Sequence, residues 1–213
     1  MSDSRFPSSE RGAALLTVLL LVAIIAVVTA IQEEHLEGFG DLAGVLAEEA
    51  SLCDGTATVI VPAAEGALLR EARVRAGRVV SVGLGEGDLS AASHGLHHDG
   101  RGWMTVRETT VEVPLRGAHN MRNAMLALAV AGECGLSLED AARGIVSIDL
   151  ASVPAMRSSV APIGAALLIN DAYNANPGSA RAAIALLGDV AGERPRVIVL
   201  GTMRELEIGR AHV

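Results

Sequence analysis

The sequence predicts an α/β protein, and three observations carry that prediction. Short β-rich runs alternate with helix-spaced runs along the chain. Half of the residues are hydrophobic, yet only Phe6, Phe39, Trp103 and Tyr173 are aromatic, so the core has to be built from Ala, Val, Leu and Ile. Near the C-terminus a strand, a loop, a helix and a second strand follow in the order that starts a doubly wound unit, which binds ligands at the carboxyl ends of its strands.

Taken in order, the elements begin with an uncharged run from Gly12 to Ile31, preceded by Arg5, Glu10 and Arg11. An apolar stretch of about 18–20 residues is long enough to cross a bilayer as a helix. The other reading of this run is a buried strand at Ala23–Thr29 with an apolar extension. Leu42–Leu52 has helical spacing. Thr56–Val61 is β-rich and ends at Pro62, Ala64–Arg73 is helical again, and Arg78–Val82 is a short strand. Ser93–His98 and Trp103–Leu115 alternate, with Asp99-Gly100 as a hairpin turn. Ala118–Glu133 is a helix rich in Ala, Leu and Met. Ser137 caps a further helix with Glu139 and Asp140 in its first turn. Ala165–Ile169 reads as a buried strand. Pro177-Gly178-Ser179 opens a helix over Ala180–Val190, with Ser179 as its N-cap, and Arg196–Leu200 is another apolar strand.

A chain of 213 residues permits one large domain or two small ones. The net charge of -8 argues against nucleic acid as a main partner, because phosphate backbones need clustered cations. All 17 basic residues are Arg; there is no Lys. Anionic nucleotides stay open, since a few Arg side chains and backbone N–H groups can hold a phosphate. Cys53 and Cys134 have no metal-ligand spacing and read as two buried thiols.

The most specific stretch is Leu168-Ile-Asn-Asp-Ala-Tyr-Asn-Ala-Asn-Pro-Gly-Ser179. A strand ending in Asn-Asp puts amide and carboxylate groups at its carboxyl tip, and the helix that follows turns its positive end to the same crevice. Alone, this block also reads as an ordinary strand-to-helix turn capped by Asn and Ser. Gly117-Ala-His-Asn-Met-Arg-Asn123 puts His119, Asn120 and Asn123 at the mouth of a helix. Asn120 and Asn123 are three apart and share a face, where two amides can read the edge of a purine. Val153-Pro-Ala-Met-Arg157 supplies one Arg before the C-terminal unit. Glu33-Glu-His-Leu-Glu-Gly-Phe-Gly40 places His35 among acids, in a ligand position or a structural one.

The order and spacing of these four blocks resemble the Mur ligase family over residues 26–206, and within it the ligases that add D-alanyl-D-alanine to UDP-MurNAc-tripeptide. The resemblance implies a partial Mur ligase central domain plus the start of a Rossmann-like C-terminal domain. It implies an ATP-dependent acid–amino-acid ligase that works through an acyl phosphate, with ATP and Mg²⁺ as cofactors. It assigns His35 and Glu49 to Mg²⁺, Asn120 and Asn123 to the adenine, and Arg157 to the nucleotide phosphates. Asp171 would hold the ribose, and Tyr173, Asn174 and Asn176 would line the substrate cleft. Glu49 stands where many members carry a carbamylated Lys; its other reading is a solvated acid pair with Glu48. The implied partners are UDP-MurNAc-peptide and D-Ala-D-Ala, and the implied setting is a cytoplasmic monomer.

Three features depart from that pattern. No G-x-x-x-x-G-K-[ST] phosphate loop occurs in these residues, so this chain is expected to be inactive as a ligase. Gly83-Leu-Gly-Glu-Gly87 is a poor substitute, because Glu86 would repel phosphate. The first 28 residues resemble instead a type II secretion minor pseudopilin of the K type, with a short basic leader ending at Gly12. Glu207–Val213 reads as an artefactual tail. The expected divisions are therefore 1–28, 29–152, 153–206 and 207–213, in a possible chimera. The competing readings are a minor pseudopilin and a membrane-tethered nucleotide-binding module. Either would place the chain at the inner membrane.

Overall fold

A computed structural model describes residues 25–29, 41–150, 158–172 and 176–201. Its centre is a six-stranded mixed sheet in the order β1 to β6. β1 (Ile25–Val27), β2 (Thr58–Pro62) and β3 (Arg78–Gly83) run parallel. β4 (Leu89–Leu96), β5 (Arg101–Val106) and β6 (Thr109–Arg116) extend the sheet as an antiparallel meander.

The parallel part is covered on both faces, which is why β2 reads as the unbroken apolar run Thr-Val-Ile-Val-Pro rather than an alternation. Val59 and Val61 point to one side. There they meet Val28, directly after β1, and Cys53, Leu68 and Ala72, contributed with Leu46 by α1 (Leu42–Ser51), α2 (Gly66–Arg75) and the turn after α1. Ile60 points to the other side and joins Val80, Val82, Met104, Val106, Val111 and Val113. That larger core is closed by α3 (Ala118–Glu133) and α4 (Leu138–Val146), through Met121, Met125, Leu128 and Ile145. Few aromatics are needed because methionine and branched aliphatic side chains fill the space between sheet and helices.

The glycine-rich stretch after β3 has a structural role. Parallel strands usually need a long crossover. Here β4 begins where β3 ends, with only Val82–Leu89 and Gly83–Ser90 in register, so five residues suffice. Asp88 pins the loop by accepting from Ser81 N at 2.9 Å and Ser81 Oγ at 2.7 Å. Gly87 has φ +105°, and a Cβ there would come within 2.8 Å of the Ser81 carbonyl oxygen.

Beyond residue 157, β7 (Ser159–Ile163) and β8 (Ala166–Asn170) form an antiparallel hairpin, followed by α5 (Pro177–Ala191). α5 docks on the β4–β5 turn. Leu186 and Val190 lie so close to Gly100 that a Cβ there would meet them at 2.8 Å and 2.9 Å.

Several expectations are corrected. Ile25–Val27 is a strand hydrogen-bonded to β2, not the end of a membrane helix; among the described residues no helix is long and apolar enough to cross a membrane. The remainder of that run lies outside the described residues. Trp103–Leu115 is two strands, turned at Arg107, whose φ is +52°. β8 is not buried: Leu167 and Leu168 are more than two-fifths exposed. Arg196–Leu200 is not a strand, and Val197 and Val199 are 82% and 92% exposed. A parallel strand gains little where neither face is covered. The N-cap of α5 is Asn176, not Ser179, because Asn176 Oδ1 accepts from Ser179 N at 2.7 Å while Ser179 Oγ accepts from Asn176 N at 3.0 Å. Cys53 is buried, and burial pushes its thiol pKa up; Cys134 is exposed.

Candidate nucleotide-binding site

The carboxyl ends of β2 and β3, the mouth of α3 and the end of β8 supply the candidate groups. Pro62, Ala64, Val82, Gly83, Leu84, Glu86 and Arg122 line a small cavity of about 90 Å³ beside the first turns of α3. Crevices at the carboxyl ends of parallel strands are the usual ligand position in such sheets. A larger cavity of about 590 Å³ opens at the opposite end, among Arg78, Asp88, Arg107, Glu133 and Ser137, and holds none of the expected residues.

The start of α3 is tightly defined. Gly117 N donates to Gly100 O at 2.9 Å, and Asn120 N to Gly117 O at 3.1 Å, which ties the helix to the β4–β5 turn. Asn120 Nδ2 donates to Arg116 O at 2.8 Å and lies 3.1 Å from His119 Nε2. Asn123, one turn on, is exposed. The His119 ring packs against Gly117, where a Cβ would sit 2.7 Å from ring Cε1. Burial holds the pKa of His119 below its ordinary value; the Asp171 carboxylate opposes that shift and Arg122 reinforces it. His119, which the sequence shows only as part of a motif, is therefore the neutral group that brings the α3 mouth into the field of Asp171.

Asp171 ends β8. Its Oδ1 accepts from Ser158 N at 2.7 Å and from Ser158 Oγ at 3.2 Å. Ser158 is buried and has φ +49°, a strained conformation held by this carboxylate. Asp171 thus fixes the backbone directly after Arg157. Asn176, also buried, uses its Oδ1 to cap α5.

Asn120 lies against His119, whose pKa the Asp171 carboxylate raises against the effect of burial, and Asn123 lies one turn along α3. Glu49 is apart from them, half-buried on α1. His35, Arg157, Tyr173 and Asn174 lie outside the described residues. Among the described residues no group of three or more His, Cys, Asp or Glu side chains is placed to hold a metal ion.

The family model described as Mur ligase middle domain matches residues 8–131 and so runs through the whole apolar stretch, leaving the pseudopilin resemblance without support. A UDP-N-acetylmuramoyl-tripeptide–D-alanyl-D-alanine ligase of Bacillus subtilis is 32% identical over 188 residues, covering 85% of this chain and 40% of the relative. The chain spans less than half the length of that relative. A crystal structure of MurF from Acinetobacter baumannii matches at TM-score 0.67 and 27% identity, over 78% of this chain and 37% of that one. MurF from Thermotoga maritima, solved in complex with ADP, shares the fold at TM-score 0.65 and 19% identity, over 76% and 38%. With the mixed sheet, the α3 mouth and the match over residues 8–131 in agreement, the chain belongs to the Mur ligase family and carries its middle domain.

Proposed function

We propose that these residues form the adenosine side of an ATP-dependent amide-bond ligase that adds D-Ala-D-Ala to UDP-MurNAc-tripeptide. The observation that carries this reading is Asn120, on the first turn of α3, lying against His119, whose protonation the Asp171 carboxylate at the tip of β8 influences. An amide suits adenine and a carboxylate suits ribose hydroxyls. Asp171 has one oxygen committed to Ser158, which leaves the other to accept from a ribose hydroxyl. Asn123 offers a second amide on the same face. The names of the similar ligases and the ADP bound to one fold neighbour support the substrate class.

In that reaction a substrate carboxylate attacks the γ-phosphorus of ATP and expels ADP. The amine of D-Ala-D-Ala then attacks the acyl carbon, and inorganic phosphate leaves. Arg157 would face the nucleotide phosphates and stabilise developing negative charge. Mg²⁺ would be held by His35 and Glu49, and Tyr173, Asn174 and Asn176 would border the substrate. Such a ligase works in the cytoplasm, where ATP and the UDP-linked precursor are present. We place the division between the middle domain and the start of the C-terminal domain near residue 152.

Titration of the chain with ADP tests the reading. Asp171→Ala is expected to weaken binding roughly tenfold, the worth of about one charge-assisted hydrogen bond. Asp171→Asn, which keeps an acceptor for Ser158, separates ribose contact from folding. Unchanged ADP affinity in both variants would refute the site.

A further inference from the structure

We propose that the cavity of about 590 Å³ at the far end of α3 binds a free apolar amino acid, a zwitterion with a hydrophobic side chain. It is separate from the adenosine groups, since Asn120 and Gly132 stand on one helix about 18 Å apart along its axis. Its volume lies in the range of small-molecule sites, which combine an apolar floor with a few placed polar groups. The floor here is Val80, Leu89, Leu128, Ala129 and Leu138, drawn from β3, β4, α3 and α4. Gly132 belongs to the same wall. A Cβ added there would meet nothing within 4 Å beyond the helix's own backbone, so the wall leaves room at that point.

The rim carries Arg78, Asp88, Arg107 and Glu133, and their pairing decides the ligand. Arg78 is paired with Glu133. Arg107 has no ion-pair partner among the described residues. Its φ of +52° stands in the tight turn between β5 and β6, where Gly or Asn is the usual residue, so turn chemistry does not account for an Arg there. Asp88 gives Oδ2 to Ser81 and keeps Oδ1 for another donor. The N-terminus of α4, which would attract an anion, is already met by Glu139 and Asp140. The rim therefore offers one free cation and one free carboxylate oxygen above an apolar floor. The Arg107 fork can hold a carboxylate, and Asp88 can accept from an ammonium. A phosphate would meet Asp88 as a like charge, and a plain hydrocarbon would leave both charges unused.

The test titrates phenylalanine into the full chain by ligand-observed NMR. Beside it run 3-phenylpropionate, which lacks the ammonium, and 2-phenylethylamine, which lacks the carboxylate. Phenylalanine should bind, and each analogue should bind roughly tenfold more weakly, the worth of about one charge-assisted hydrogen bond. Arg107→Asn removes the cation and tolerates a positive φ; it should weaken phenylalanine roughly tenfold and leave 2-phenylethylamine unchanged. Gly132→Leu fills the wall and favours the helix, so it should abolish binding while Tm is kept or raised. Absence of phenylalanine binding, an analogue that binds as tightly as phenylalanine, or unchanged affinity in either variant overturns the proposal. Should a variant lose Tm, the comparison of the three compounds on the wild-type chain decides. ADP binding, read in parallel, is independent of every one of these outcomes.

Discussion

Asp88 and Gly87 show how single residues shape the approach to the site. The Ser81 N–H and hydroxyl donate to Asp88 and hold its carboxyl below the usual carboxylate range, with Arg73 and Arg78 adding to the effect. A carboxylate whose folded-state pKa is depressed stabilises the fold above its unfolded pKa, and the gain is lost as pH falls through the folded value. Thermal unfolding followed downward from neutral pH should therefore show a loss of stability below the ordinary Asp range. Asp88→Asn should remove part of that slope, and an unchanged slope would refute the pin. Gly87→Ala places a Cβ against the Ser81 carbonyl at a φ of +105°. It should cost on the order of 2 kcal/mol in urea unfolding. The stretch weighed as a phosphate cradle is thus a tight connection between parallel strands. Its glycines were visible in the sequence, but their purpose was not, because the Ser81–Asp88 contact exists only once β3 and β4 are side by side.

At the scale of elements, local chemistry was most readable where a helix carries its own boundary signals. Ala118–Glu133 and the Ser137 cap were both legible, since Ala, Leu and Met favour the helix and Ser137 Oγ accepts from Asp140 N at 3.1 Å. The start of α5 was harder, because Asn176 and Ser179 both favour caps and the sequence does not rank them. Asn176→Ala should lower helix and protein stability by about 1 kcal/mol, read as a fall in Tm, and should expose α5 to limited proteolysis. Gly100→Ala tests the docking of the same helix. Its Cβ would displace Leu186 and Val190, so α5 should be cleaved faster while β4–β6 remain protected. Equal protection of α5 in both variants would mean that neither contact positions it.

For the whole molecule, the division of labour follows the family match. The two packed cores lie within residues 25–29 and 41–150, and α5 leans on them at the β4–β5 turn. No Gly-Lys-Thr loop occurs in these residues. The 213-residue polypeptide is therefore expected to bind ADP weakly and to release no phosphate from ATP in the presence of the tripeptide precursor and D-Ala-D-Ala. Phosphate release above background, measured by colorimetric assay, would refute that expectation.

The sequence by itself determined the α/β class, the strands at Thr56–Val61 and Arg78–Val82, the long α3 helix and the identity of the groups at its mouth. Each depends on short-range periodicity or on residue types at fixed spacing. Only the tertiary structure decided the rest. Ile25–Val27 is a strand because β2 offers it hydrogen-bond partners, which an apolar run cannot announce. Arg196–Leu200 is exposed and not a strand, since among the described residues no strand pairs with it. His119 gained its place in the same way, since its contact with Asn120 and the influence of Asp171, far away in sequence, exist only in the folded chain.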